Sequence, residues 1–504
     1  MFSDNKGIMS FFSLLFLFIS VWYSLKGIDA EGVKNSFSFM AFIILLSSSR
    51  KALWIIGFPL ILFYALYFPI GAIYGAPTTN QIAAFIATDI SEAKEFFFSL
   101  RTINYLYSVI IVFSFICYRK LSVKFNLMYF KNKSLLILMS LVLMSSSTVI
   151  DGPKSMLKSA REVHYEYKKL IEMTSDVSQW KVSGVNNKYN VYVLIIGESA
   201  SKNYHHVYGY PLNNTPFLSS VNGVFIDGLT SGDAYTIGSL RLMLTKPDKN
   251  QILPNYNLSI IQLANKAGFN TAWISNQGYL GTHDTPISTI ANQADFKYFL
   301  KLGGYDSKNT DDDLMIPVFN EYLNDFDKNK ANFIVIHLYG SHPYVCDRLH
   351  GFKSNLNVSD SNYKSILCYV DSIQKTDLFL SKIKSSLDDK LKKHGISYSM
   401  VYFSDHGLSH VYKDGSHIIT HNPDDIGVYE IPLVKISSDD EERISLNVKK
   451  SAMNFTEGLA KWMGIDSELI DKNIDLFDDE NHSDKLIDII NKKKREEVVN
   501  ISDH

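Results

Sequence analysis

The chain has almost no net charge: 50 Lys and Arg stand against 52 Asp and Glu, a formal −2. That balance excludes a nucleic-acid binder whose affinity rests on phosphate contacts, because such a protein needs a cationic excess. Cysteine is nearly missing, with three in 504 residues. Cys117 lies in an apolar run and reads as a small buried residue, which leaves at most one disulfide, Cys346 with Cys368. If that part of the chain lies outside the cytoplasm the two can pair; otherwise they are two thiols, and spacing does not decide. Internal repeats and low-complexity tracts are missing as well. No small-residue cleavage site stands out after the first apolar run, which speaks against a removable signal peptide.

What the chain does have is length and an uneven composition. At 504 residues it exceeds one ordinary domain, so at least two units are expected. Residues 1–150 are rich in Phe, Leu, Ile and Ser, whereas 151–504 carry most of the charge. A near-zero mean hydropathy therefore averages an apolar part with a soluble one. Five apolar segments lie at 8–26, 36–49, 52–73, 102–118 and 134–150. Crossing the hydrocarbon takes ~20 residues, with ~17 a lower limit; the first and third meet that alone, and the second is short unless it gains residues on its amino side. Arg50 and Lys51 follow segment two, and Arg119, Lys120, Lys124, Lys131 and Lys133 follow segment four. Basic loops stay in the cytoplasm, so five crossings leave the amino terminus inside and the carboxyl domain outside. The loop of residues 74–101 then also faces out, with Asp89, Glu92 and Glu95 at the membrane surface, either simply solvated or in contact with a lipid headgroup. Residues 151–190 read as a bridging interfacial helix around 156–173 and a loop at Gly184, before a domain spanning 191–504.

In that domain β-rich runs alternate with helical patterns, the mark of an α/β sheet covered on both faces. Strands are expected at 191–196, 270–275, 332–338, 398–404 and 430–436. Four of them stop abruptly at polar groups: Gly197-Glu198-Ser199, Asn276-Gln277, Gly340-Ser341-His342 and Asp405-His406-Gly407. Chemistry at one edge of such a sheet is the usual arrangement of α/β sites. Glu198, Asp405 and His406 offer oxygen and nitrogen ligands suited to Zn²⁺, and Ser199 offers a hydroxyl that a metal would activate as nucleophile. His342 and His421 are candidates to hold a phosphoryl oxygen or protonate a leaving alcohol, with His417 competing with His421. Thr236 and Ser239 either hydrogen-bond a substrate phosphate or start a helix. His205, His206 and His410 read as surface residues. A closing helix is expected over about 448–463, followed by a charged tail.

With these residues in hand, the chain resembles the phosphoethanolamine transferases, membrane enzymes of the alkaline-phosphatase/sulfatase superfamily. The resemblance rests on the five apolar segments, Gly197-Glu-Ser-Ala200, Tyr208-Gly-Tyr-Pro with Thr215-Pro216, and Trp273-Ile-Ser-Asn-Gln277. It continues in Gly340-Ser-His-Pro343, Cys368-Tyr with Asp371 and Asp377, and Ser404-Asp-His-Gly407. It implies a five-helix transmembrane domain followed by an alkaline-phosphatase/sulfatase-like α/β/α sandwich, set in a bacterial inner membrane with the catalytic domain in the periplasm. It also implies transfer of phosphoethanolamine from phosphatidylethanolamine to a lipopolysaccharide acceptor, core sugar or lipid A. Glu198, Ser199, Asp405 and His406 then look like the zinc set, Ser199 like the nucleophile, His342 and His421 like phosphoryl contacts, and Glu92 like the acid near the donor headgroup. Leu408 follows Asp-His-Gly where many relatives carry Glu, and Ala84 stands where some lipid A-modifying relatives carry Asn. The rival readings are a phosphoglycerol transferase and a phosphatase or sulfatase of the same superfamily; the first typically separates the metal Glu from the nucleophile in sequence.

Overall fold

The computed structural model describes residues 2–76, 97, 100, 102–131, 153–154, 157–158, 161, 178–278, 286–301, 311–325, 327, 329–354, 356, 358–413 and 415–502. The chain divides into two compact units, one holding most of the first 165 residues and the other Ala87–Ser91 with Glu166–His504.

Among the described residues of the first unit, three helices are long and apolar enough to cross a membrane: Lys6–Lys26, Arg50–Ala72 and Thr102–Lys124. These match the first, third and fourth expected segments, the last running farther than the apolar run alone indicated. The second segment does extend on its amino side, to a helix Val33–Leu46, but its 14 residues fall short of the ~17 a span requires. The fifth segment, Glu92 and the core of the bridging helix lie outside the described residues.

The helices meet through small residues. Ser13 and Ser122 share a hydrogen bond of 3.0 Å, and Ser20 Oγ donates to Ile111 O at 2.9 Å. A Cβ on Gly71 would stand 1.7 Å from the Gly27 carbonyl oxygen, so those two backbones touch only because no side chain intervenes. Close approach of this kind is how helices associate where lipid removes the hydrophobic drive. Phe11, Ile55, Leu66, Val109 and Phe113 are exposed on the outside, a distribution that suits a hydrocarbon solvent and not water.

Among its described residues the second unit has thirteen strands: β1 Val182–Val185, β2 Val191–Gly197, β3 Gly223–Thr230, β4 Asn270–Gly278, β5 Phe296–Lys301, β6 Asn332–His337, β7 Tyr398–Ser404, β8 Ser409–Lys413, β9 Ser416–Thr420, β10 Glu430–Ser437, β11 Arg443–Leu446, β12 Lys450–Ser451 and β13 Ile465–Ser467. Nine form one sheet in the order β11-β3-β10-β7-β2-β6-β4-β5, with β12 added to β3. The block β7, β2, β6, β4 and β5 is parallel, while β10 runs against both its neighbours. The five expected strands are all present. The fifth, β10, is the antiparallel one, so it brings its first residue, not its last, to the edge where the other four end.

Every residue of β2 is buried, as a strand covered on both faces requires. Tyr192, Leu194 and Ile196 enter one core with Leu263 and the helix Phe455–Met463; Val191, Val193 and Ile195 enter another with Phe379, Leu380 and Ile383 of the long helix Lys364–His394. Two expectations change. Gly184 lies within β1, which pairs with β13 from near the other end of the chain. The closing helix begins at Phe455, because Lys450–Ser451 is drawn into the sheet as β12.

A third apolar cluster groups Ala200, Tyr204, Tyr369, Ile366 and Leu408 with Cys368, which is disulfide-bonded to Cys346 at a Cα–Cα distance of 4.9 Å. The bridge spans 22 residues, for which chain-entropy reasoning assigns ~3 kcal/mol. Cys346→Ser in the detergent-purified protein is expected to lower the thermal unfolding midpoint by several degrees. A reductant should do the same to the parent protein and nothing further to the variant, as scanning fluorimetry would read.

Candidate metal centre and active site

The site starts from a register. β2 and β7 are parallel neighbours with Gly197 opposite Ser404, so the next residue on each strand, Glu198 and Asp405, leave the sheet side by side. The Asp405 amide donates to Gly197 O at 3.1 Å, continuing the ladder one step past the strand end. Gly197 has no room for a side chain, since a Cβ there would stand 2.9 Å from the Tyr402 ring.

Glu198, Asp405 and His406 converge so that one ligand atom from each lies within 4.8 Å of the others, and all three are buried. His406 Nε2 is 3.4 Å from Asp405 Oδ2 and 3.6 Å from Glu198 Oε1. Its other nitrogen, Nδ1, lies 2.9 Å from Gly407 O; donating there leaves the Nε2 lone pair facing the two carboxylates. Asp405 Oδ1 accepts from the amides of Ser199 and His406 at 2.8 and 2.7 Å, while Oδ2 is buried with no hydrogen-bond partner. Burial, with Asp405 close by, pushes the Glu198 carboxyl well above its usual range. Two buried carboxyl groups facing an imidazole nitrogen, with Asp405 Oδ2 unsatisfied, make a donor set that suits a metal ion. Oxygen and nitrogen donors in that number fit Zn²⁺ with a position to spare.

Among the described residues two hydroxyls reach the Glu198 carboxyl, and they differ in access. Ser199 adopts φ +58°, in the left-handed region that non-glycine residues rarely occupy. It is fully buried, with Oγ donating to Glu198 Oε1 at 2.7 Å. Thr236 begins the helix Thr236–Met243 and is partly exposed. Its Oγ1 lies 3.2 and 3.4 Å from the two Glu198 oxygens and 3.3 Å from His406 Nε2. Thr236 is therefore a helix start whose hydroxyl also faces the cluster.

The surrounding polar groups fix these positions. Gln277 Nε2, at the end of β4, donates to Glu198 Oε2 at 3.2 Å and to Leu338 O at 2.9 Å. The Ser341 amide donates to Glu198 O at 3.0 Å, and Gly340, at φ +41°, leaves only 3.1 Å between an added Cβ and the Glu198 backbone. Ser239 is fully buried: its hydroxyl donates to Asp405 O at 2.6 Å and accepts from Gly232 N, so it braces the loop that carries Asp405. His421 lies beside the cluster, its ring 5.1 Å from that of His406 and stacked on Tyr235. Burial first, then the neighbouring His406, lowers its pKa to about 3, so the ring is neutral near pH 7. His417 points elsewhere, hydrogen-bonded to His410 at 2.7 Å and stacked on Tyr363. His342 follows Ser341, with its ring stacked on Tyr339. His205, expected at the surface, is buried with Nδ1 2.9 Å from Ser201 O, and burial lowers its pKa to about 4.

Two structural contributors carry no local signature. Asp312 accepts from the amides of Tyr339 and Gly340 at 2.8 and 3.0 Å and from Asn276 Nδ2 at 2.8 Å, tying the ends of β4 and β6 together. The phenol of Tyr369 donates to Ser199 O at 2.7 Å. Both would have needed the tertiary pairing to be seen.

Comparison with known proteins agrees with this geometry. The sulfatase family model matches residues 190–465, more than half of the chain and every strand of the nine-stranded sheet. A Haemophilus influenzae protein provisionally named a phosphoethanolamine transferase is 41% identical over 355 residues, covering 70% of this chain and 73% of that protein. Phosphoethanolamine transferase OpgE of Escherichia coli K12 is 32% identical over 440 residues, covering 81% and 79%. In fold, the chain superposes on the integral membrane lipooligosaccharide phosphoethanolamine transferase A of Neisseria meningitidis with a TM-score of 0.63 at 14% identity, over 93% of this chain and 98% of that one. Apolar helices, a sulfatase-like sheet and relatives matched over more than two thirds of their length leave one assignment: the chain belongs to the phosphoethanolamine transferase family of the alkaline-phosphatase/sulfatase superfamily.

Proposed function

We propose that this transferase takes phosphoethanolamine from phosphatidylethanolamine and passes it to a lipopolysaccharide acceptor, a core sugar or lipid A. In this reading it is zinc-dependent, sits in a bacterial inner membrane and presents residues 191–504 in the periplasm. The relatives' names support the transferred group. A periplasmic domain of Escherichia coli EptC, of similar fold at a TM-score of 0.50 and 23% identity, is known as a zinc complex. Exposed apolar side chains on the first unit fit an enzyme whose donor is a bilayer lipid, which never needs to leave the membrane plane.

Glu198, Asp405 and His406, with one hydroxyl, would hold the zinc; when bound, the ion lowers the hydroxyl pKa and offsets charge on the phosphoryl oxygens. Thr236, and not Ser199, is the better nucleophile. The observation that carries this is access: a phosphodiester must come within bonding distance of the attacking oxygen, and Ser199 is fully buried whereas Thr236 is partly exposed at the same cluster. Thr236 Oγ attacks phosphorus, the bond from phosphorus to the diacylglycerol oxygen breaks, and diacylglycerol leaves with a proton. An acceptor oxygen then attacks the phosphothreonine, its proton leaves, and the Thr236 hydroxyl is restored. The amide end of the helix that Thr236 begins faces the incoming charge. His421, neutral and next to His406, can accept the acceptor's proton or bond a phosphoryl oxygen, and His342 is the second candidate for that contact. Ser199 holds Glu198 Oε1 in place through its own hydroxyl. Glu92 is assigned to the donor headgroup on its resemblance alone.

Incubating the purified protein with phosphatidylethanolamine and zinc should give a phosphoethanolamine adduct on the Thr236 peptide, with diacylglycerol released. Peptide mass spectrometry should find it lost in Thr236→Ala and retained in Ser199→Ala. An adduct on the Ser199 peptide would return the role to Ser199, and a phosphoglycerol adduct formed only from phosphatidylglycerol would move the assignment to that transfer. Metal removal is the second check. Dialysis against a chelator should abolish diacylglycerol release and added zinc should restore it. Asp405→Ala should lose activity by more than about 100-fold, beyond the cost of losing an outer-shell partner, and bind no zinc by elemental analysis.

A further inference from the structure

We propose that Tyr369 is a positioning residue of the metal centre: its buried hydroxyl holds in register the two loops that carry the ligands. The proposal rests on the metal reading above. The phenol sits on the helix Lys364–His394, on neither ligand-bearing strand, yet bonds to both loops. It donates to Ser199 O at 2.7 Å and accepts from Ser201 N at 2.8 Å and from Leu408 N at 3.3 Å. A phenol has one proton to donate and accepts at two sites, so all its capacity is used here. All its partners are backbone groups: Ser199 O and Ser201 N follow Glu198, and Leu408 N follows Asp405–His406.

Those groups need an outside partner because the backbone there has left the sheet. Ser199, at φ +58°, turns the chain out of the β2 ladder immediately after Glu198, and conformations of that kind persist only where the surroundings over-determine them. Gly407 N is bonded to Val428 O, so Leu408 N is the next amide of its loop, and Tyr369 takes it. The ring is fixed in turn. It is fully buried in the apolar cluster, edge-on to Tyr204 at 5.2 Å, and its neighbour Cys368 is tied to Cys346. The hydroxyl therefore sets the spacing between Glu198 and the Asp405–His406 pair, and the spacing of ligands decides how well they close on an ion.

Tyr369→Phe keeps the ring and removes only the oxygen. Tyr204→Phe is the control, a phenol in the same cluster whose bond goes to Val499 N and to neither loop. Zinc affinity of the detergent-purified full chain would be measured by competition with a chromophoric chelator, beside Asp405→Ala and with the unfolding midpoint of each variant recorded. Expected are a zinc affinity weakened about 10- to 100-fold in Tyr369→Phe, no change in Tyr204→Phe, and no binding in Asp405→Ala. Diacylglycerol release should then show a lower kcat for Tyr369→Phe at unchanged KM. Parental zinc affinity in Tyr369→Phe, whether or not its unfolding midpoint falls, overturns the positioning role while Asp405→Ala still loses the ion. Parental affinity in Asp405→Ala overturns the metal reading and the positioning role with it.

Discussion

The structure depends on one pairing, that of β2 with β7. Because the two strands run parallel with Gly197 level with Ser404, two acidic side chains leave the sheet together into a space that excludes water. A slip of one residue would turn Glu198 and Asp405 to opposite faces. Burial on both sides of β2 prevents that slip, since its alternating side chains are claimed by two separate cores. Stability of the sheet and chemistry of its edge are thus one constraint. The same residues that make β2 apolar throughout make its sudden end at Glu198 the natural location for a charged group.

How much could be read beforehand follows from that constraint. The strands that end in chemistry were legible because each is an apolar run cut off by polar residues, and Glu198, Asp405 and His406 were legible as ligand types at those ends. Strand β3 was not, since Asp227 and Gly228 interrupt its pattern, and neither were β1, β12 and β13, which are too short to show a period. Tyr369 and Asp312 act through bonds that connect distant parts of the sequence, so no local window contains their reason. The two hydroxyls differ in another way. Ser199 is adjacent to Glu198 in sequence and Thr236 is not, yet the sheet brings both to the same carboxylate. Adjacency along the chain favoured the one that packing then covers.

The first unit obeys a different solvent. Around a buried apolar core it leaves Phe11, Ile55, Leu66, Val109 and Phe113 exposed while Ser13, Ser20, Ser24, Ser36 and Ser38 are buried, whereas in the sheet unit Val, Ile and Phe fill the middle. Only the run lengths and flanking Lys and Arg of that unit were legible. Where the helices touch was not, because the close approach of Gly27 and Gly71 depends on what is missing from both residues.

The β1–β13 ribbon bears on the order in which the protein can be completed. β1 is among the first parts of the sheet unit to be synthesised, and the strand it needs is almost the last. β3 is in the same position, waiting for β10, β11 and β12. As the chain emerges amino end first, these early strands keep open edges until the far end arrives. A chain cut short before residue 465 would therefore lose more than its tail: its first strand would be left as an exposed, adhesive edge, the kind of surface that quality-control proteases and chaperones recognise.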